Sequence, residues 1–215
     1  MEMKATTILR KMRARYNELH SYQDAGIITT GFNLAEAVFT TRFQTFFKKP
    51  SFLRLHWESH GTTYLILCDG RQVYSKFDSR DTLAVIGEVT DAKVLTKELF
   101  RSGGISDWVT QVIPGLLFQN QGLVNIANPP NISSEKESSV NGEACYKLKT
   151  ISEGAQSLFQ EYLFVSKSGL LLKRYERIPL VQQSYPTVKS FVFFSVRIDE
   201  ALPDDFFRPG LTCSL

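Results

Sequence analysis

The sequence predicts an α+β, mostly β fold: a strongly curved antiparallel sheet with helices covering its concave face. Three observations carry this expectation. About nine strand-like segments follow one another closely from Ile27 onward, without the strand–helix alternation that a parallel sheet requires. A sheet of that many strands has to curl. The chain also opens with an amphipathic helix, and residues 81–121 interrupt the strands with helical spacing, which supplies elements able to lie over a sheet face.

The opening helix falls within residues 1–20. Ile8, Leu9, Met12, Tyr16 and Leu19 recur at three- and four-residue spacing and so share one face. Lys4, Arg10, Lys11, Arg13 and Arg15 make the segment basic. Such a helix can touch an anionic membrane peripherally, but a solvated polar face is the simpler reading. Ser21 to Asp24 break the helical pattern. Ile27–Phe32 then reads as a strand, followed by Val38–Phe47, where Phe39, Thr41, Phe43, Thr45 and Phe47 share a face.

After Pro50, Leu53, Leu55 and Trp57 fall on one side of the next strand and Arg54 and His56 on the other. Tyr64–Cys68 ends in Asp69-Gly70, a hairpin dipeptide leading into Gln72–Phe77. Within 81–121, Val94, Leu95 and Leu99, then Trp108, Val112, Ile113, Leu116 and Leu117, show helical spacing, with Gly103-Gly104 between two helices and Ser106 as a cap. Pro114 makes the second helix short or kinked. Asn128–Asn141 reads as a loop containing the glycosylation tripeptide Asn131-Ile132-Ser133. Strands resume at Ala144–Ile151, Leu158–Ser166, Leu170–Ile178 and Val188–Ile198. Ser168-Gly169 forms a hairpin turn. Val188, Val192, Phe194, Val196 and Ile198 are expected on one face of the last strand.

The 215 residues suit one domain, 1–215. Lys plus Arg number 25 against 22 Asp plus Glu, and the net charge of +3 does not suggest a nucleic-acid partner. No apolar run approaches the ~18 residues of a membrane span, and no signal-peptide pattern follows Met1. Cys68, Cys145 and Cys213 are too far apart in sequence for a metal knuckle; Cys68 and Cys145 can pair only if their strands are neighbours.

Signals for chemistry are few. None of the three histidines stands beside a nucleophile in sequence, and His56 and His60 read as surface residues on strand and turn rather than zinc ligands. Asp204-Asp205 reads as a capping or solvated pair, and Phe46-Phe47-Lys48-Lys49 lacks any accompanying nucleic-acid module. The expectation is a protein that is not an enzyme and uses no cofactor or metal.

The order of segments, with Phe46-Phe47-Lys48-Lys49-Pro50-Ser51-Phe52-Leu53-Arg54 and Leu67-Cys68-Asp69-Gly70-Arg71-Gln72-Val73-Tyr74, resembles the LolA-like family of periplasmic lipoprotein carriers. Val140-Asn141-Gly142-Glu143-Ala144-Cys145-Tyr146-Lys147-Leu148 and the stretch from Leu202-Pro203 to Phe207 and Pro209 resemble a secreted subgroup of that family. The resemblance spans nearly the whole chain. It implies an unclosed β-barrel whose apolar cavity, gated by helices, holds lipid or lipoprotein acyl chains. It also implies a periplasmic or secreted location, on the assumption of a removed signal peptide. Leu53, Leu55 and Trp57 match inward-facing positions. Phe43 and Phe47 on the preceding strand, and Trp108, Ile113, Leu116 and Leu117 in the cover, complete the expected ligand-binding set. Lys49 matches a basic residue that in carriers can be an arginine latching the lid, though lysine cannot make the same forked hydrogen bonds.

Two further readings stand beside a carrier or sensor of hydrophobic ligands. One is a protein–protein interaction module of the cell envelope, its cavity filled by its own side chains and an exposed edge recruiting an envelope protein. The other is an enzyme on the same scaffold, which needs titratable residues inside the cavity.

Overall fold

The computed structural model describes residues 3–32, 35–77, 83–89, 107–118, 131–154, 157–180 and 188–209. Helix α1 spans Ala5–Glu18. Strands β1 (Ser21–Phe32), β2 (Ala35–Lys48), β3 (Phe52–Ser59), β4 (Thr62–Asp69), β5 (Gln72–Phe77) and β6 (Ala84–Glu88) precede helix α2 (Asp107–Leu117). Strands β7 (Ser133–Ser134), β8 (Ser138–Val140), β9 (Glu143–Gly154), β10 (Ser157–Ser166), β11 (Leu172–Pro179) and β12 (Val188–Ile198) follow, and a 3-10 turn at Asp204–Phe207 comes after them. The strands form one antiparallel sheet in the order β6-β5-β4-β3-β2-β1-β12-β11-β10-β9-β7, with β8 paired to β9 off that path. The sheet does not close. Among the described residues no helix is long and apolar enough to cross a membrane.

Turn chemistry sets the hairpin registers. His60 and Gly61 take φ of 54° and 74° between Ser59 and Thr62, and Asn141 and Gly142 take 50° and 81° between Val140 and Glu143. Both are two-residue turns with positive φ at each centre, which match the twist of the strands they join. Between β4 and β5, Gly70 adopts φ 90°, and Asp69 Oδ1 accepts the N–H groups of Arg71 at 2.9 Å and Gln72 at 2.8 Å. These hydrogen bonds to the ionised carboxylate, outweighing its partial desolvation, hold the Asp69 pKa below its usual value.

The chain divides into two compact units. The first comprises Met1–Glu18, Gly26–Thr40 and Val124–Phe194; the second comprises Leu19–Ala25, Thr41–Leu123 and Ser195–Leu215. In the first, α1 buries Ala5, Ile8, Leu9, Met12 and Tyr16, while Lys4, Arg10 and Lys11 stay exposed, as an amphipathic surface helix requires. Tyr16 anchors it: its hydroxyl oxygen accepts the N–H of Leu172 at 3.2 Å. One face of β9–β11 buries Leu148, Leu163, Val165, Leu172 and Tyr175. The opposite face holds a smaller cluster of Val140, Cys145 and Phe164, with Tyr162 and Val192 against it.

Several sequence expectations need correction. The described residues form twelve strands, where about nine were expected. β1 begins at Ser21, where side-chain hydrogen bonds to the chain's far end replace the expected break: Ser21 Oγ donates to the Glu200 carbonyl at 2.6 Å. Segment 81–121 contains strand β6 before α2; its first expected helix and Ser106 lie outside the described residues. The stretch expected as a loop, 128–141, carries β7 and β8, both paired to β9.

Along β12, Phe191 and Phe193 are buried on the face opposite the Val192–Phe194–Val196 row; Phe194 is 57% exposed, and Val192 packs against the smaller cluster. Cys68 and Cys145 are free thiols on strands that are not neighbours, so they do not pair; Cys213 lies outside the described residues.

Candidate functional site

The second unit presents the expected apolar face. Register places its side chains in rows across the strands: Phe43, Trp57 and Tyr64; Thr45, Leu55, Ile66 and Ser75; Phe47, Leu53, Cys68 and Val73. Directly opposed residues of an antiparallel pair point to the same side, so this is a single surface. Phe43, Phe47, Leu53, Leu55 and Trp57 are all buried on it, and Trp57 stacks on Tyr64 with ring centroids 5.2 Å apart.

Helix α2 supplies the cover. Ile113 and Leu117 are buried and Leu116 is half-buried; the side chain of Trp108 lies outside the described residues. Pro114 sits inside this helix, which ends three residues later, where the Phe118 N–H donates to the Pro114 carbonyl at 2.9 Å. The Phe118 ring meets Phe47 edge-on at 5.2 Å, joining helix end to strand face. Lys49 is exposed in the turn after β2.

Polar groups on this surface are sparse, and sequence reading missed the most consequential one. Asp24 is 2% exposed, its Oδ1 accepting the Thr45 N–H at 3.0 Å and its Oδ2 the Tyr22 hydroxyl at 2.8 Å. Burial raises its pKa to about 7, against the lowering effect of those hydrogen bonds. A lone Asp at the start of a strand gives no periodic signal. The indole N–H of Trp57 has no hydrogen-bond partner among the described residues. Cys68 is inert, its thiol pushed up to about 11 by burial.

The reverse face of β3 is buried too, which overturns the expectation of a surface His56. Arg54 and His56 are 2% and 8% exposed. The chain's end covers this side: Phe206 packs on Phe46 at 4.8 Å, Phe207 on Phe52 at 5.5 Å, and Arg54 Nη1 donates to the Phe206 carbonyl at 3.2 Å. Lys48 Nζ ties down the same segment, 2.6 Å from Asp204 Oδ1 and 2.8 Å from the Leu202 carbonyl. Burial, then the Arg54 charge, lowers the His56 pKa and favours the neutral ring. The basic-aromatic run at 46–49 thus holds segment 202–207, where Asp204 is exposed to solvent as expected and also pairs with Lys48. Among the described residues, no three His, Cys, Asp or Glu side chains group closely enough to hold a metal ion.

No protein-family model matches the chain, and no curated protein does. Solved structures do. The Mycobacterium tuberculosis lipoprotein LppX is 14% identical with a TM-score of 0.53, over 93% of this chain and 99% of that one. LprF from Mycobacterium bovis is 12% identical with a TM-score of 0.52, over 93% and 95%. The LolA superfamily protein NE2245 from Nitrosomonas europaea is 17% identical with a TM-score of 0.39, over 96% and 98%. At these identities the likeness is one of fold, the fold that this chain shares with LppX and LprF.

Proposed function

We infer that the chain is a non-enzymatic carrier or sensor of a hydrophobic ligand, a lipid or the acyl chains of a lipoprotein, working in the periplasm or another secreted compartment. The ligand lies between the β2–β5 face and α2, against Phe43, Phe47, Leu53, Leu55 and Trp57 and under Trp108, Ile113, Leu116 and Leu117. The observation that carries this reading is the apolar lattice of the second unit under a short, proline-interrupted helix whose end meets the sheet through Phe118 and Phe47. A cover of one short helix parts more readily than a full layer, and hydrocarbon admitted beneath it gains ~25 cal/mol per Å² of apolar surface removed from water. The Trp57 N–H offers a polar handle on a face that is otherwise mostly apolar, in keeping with a ligand that is mostly hydrocarbon.

Native mass spectrometry of the purified protein tests this reading. The expected result is a lipid-sized mass beyond the polypeptide that disappears on denaturation, or its appearance after incubation with fatty acid or phospholipid. A chain that stays bare under both conditions overturns the reading.

A further inference from the structure

The apolar face of the second unit carries a donor that its own residues leave unused. Trp57 is 2% exposed, yet its indole N–H has no hydrogen-bond partner among the described residues. An indole nitrogen can only donate, and enclosed tryptophans usually place that hydrogen on an acceptor. The ring has little freedom to seek one. It lies stacked on Tyr64, with ring centroids 5.2 Å apart and planes 5° from parallel, and shares its cross-strand row with Phe43. On one side along β3, the next residue of this face is Leu55, fully buried. On the other it is Ser59, whose Oγ accepts the Thr41 hydroxyl at 3.0 Å, so the β2 and β3 hydroxyls of that row are joined to each other. A lone water gains little between Phe43 and Leu55, because a buried water needs several polar partners.

An enclosed donor without a partner is costly unless something else completes it. The chemistry of the face says what can. Among the described residues, the rows of β2–β5 that begin at Thr41, Phe43, Thr45 and Phe47 contain no charged side chain, so a carboxylate, phosphate or ammonium would be enclosed there without a counter-ion. A group with a proton of its own, such as an alcohol or an amide, needs an acceptor in return. A neutral oxygen that only accepts matches the lone indole N–H, and the strongest such acceptor on a hydrocarbon ligand is a carbonyl, as in an acyl ester.

We propose that the Trp57 indole N–H is a polar subsite of this face that donates to the carbonyl oxygen of a fatty-acyl ester, with Phe43 and Leu55 against the attached hydrocarbon. This rests on the hydrophobic-ligand reading above and adds the linkage class of the ligand to it.

The test compares methyl dodecanoate with dodecyl methyl ether, which keeps the chain and lacks the carbonyl. Each is titrated into the wild type and into Trp57→Phe, which keeps an aromatic ring and removes the N–H. The preference for the ester, read as the ratio of the two dissociation constants, is expected to fall about fivefold in the variant, as the loss of one neutral hydrogen bond warrants. The ratio cancels the packing that the smaller ring gives up. In the wild type itself, the ester but not the ether is expected to move the indole proton resonance of Trp57 downfield. The sequence has two tryptophans, so Trp57→Phe or, should that variant fail to fold, Trp108→Phe assigns the signal. An unchanged ratio in the variant, or an indole proton that responds alike to both probes, overturns the subsite and leaves the carrier reading standing. Failure of both probes to bind any form of the protein, together with a bare native mass spectrum, removes the carrier reading and the subsite with it.

Discussion

Asp24 in the second unit and Glu161 in the first are both enclosed carboxylates, at 2% and 0% exposure, yet the fold partners them differently. Asp24 has both oxygens occupied, by the Thr45 N–H and the Tyr22 hydroxyl, and no cation among the causes of its shift. Glu161 has a cation beside it, Arg177, together with the Ser152 and Tyr175 hydroxyls. Burial raises the pKa of each, but at Glu161 Arg177 works in the opposite direction and helps to hold the charge. Asp24 thus behaves as a structural crosslink between β1 and β2 made by neutral donors alone, whereas Glu161 is held by an arginine as well as by hydroxyl donors. A buried carboxylate can be held by hydrogen bonds or by charge, and the two respond differently to losing one partner.

The largest effect expected from this contrast is at the ion pair. Arg177→Met strands the Glu161 carboxylate and should cost ~3–5 kcal/mol of unfolding free energy, while the double change Glu161→Leu, Arg177→Met should recover most of the loss. Denaturant unfolding of the set measures this. A double variant as unstable as the single one means that packing, rather than stranded charge, sets the cost.

Next in size is the pH response of Asp24, whose pKa of about 7 exceeds its ordinary value of 3.8. The folded protein therefore binds more protons than the unfolded chain between these values. This contribution to stability is complete below about pH 4, declines as pH rises toward 7, and is level above that. About three units correspond to up to ~4 kcal/mol. In Asp24→Asn the decline should flatten; an unaltered pH profile of unfolding free energy would remove Asp24 as its source.

Much of this arrangement was legible in the sequence. The alternation of Phe43, Phe47, Leu53, Leu55 and Trp57 follows directly from the two-residue period of a strand, and the register bears out their common face. Helix α1 and the Gly70 and Gly169 turns were equally plain, since each rests on local spacing or local backbone chemistry.

What escaped was decided by distant segments. His56 read as a surface residue because nothing in β3 announces that residues 206–207 will cover its face. In β12, alternation separated two apolar rows but could not say that Phe191 and Phe193 would be the buried one. β7 and β8 were lost in a polar stretch whose Asn141-Gly142 turn signal was present but not used. The Glu161 cluster had no sequence signature, since Thr150, Glu161 and Tyr175 become neighbours only through pairing of three strands.

The smallest expected effect makes the sharpest test of the contrast, because it uses one substitution at two sites. Tyr22 and Tyr175 are both fully enclosed, and each stands beside one of the two carboxylates. Tyr22→Phe removes the donor to Asp24 Oδ2, leaves that oxygen buried and unpaired, and should cost ~1–3 kcal/mol. Because the lost bond favoured the charged carboxylate, the Asp24 pKa should rise further and the pH window of declining stability should extend upward. Tyr175→Phe removes one of three groups on the Glu161 carboxylate, beside the Ser152 hydroxyl and Arg177, so it should cost less, within ~1 kcal/mol of wild type. Thermal unfolding of the two variants side by side reads the difference. Equal losses would show that the Tyr175 hydroxyl matters to Glu161 as much as Tyr22 does to Asp24, and that Arg177 does not make the carboxylate less dependent on its hydroxyl donors.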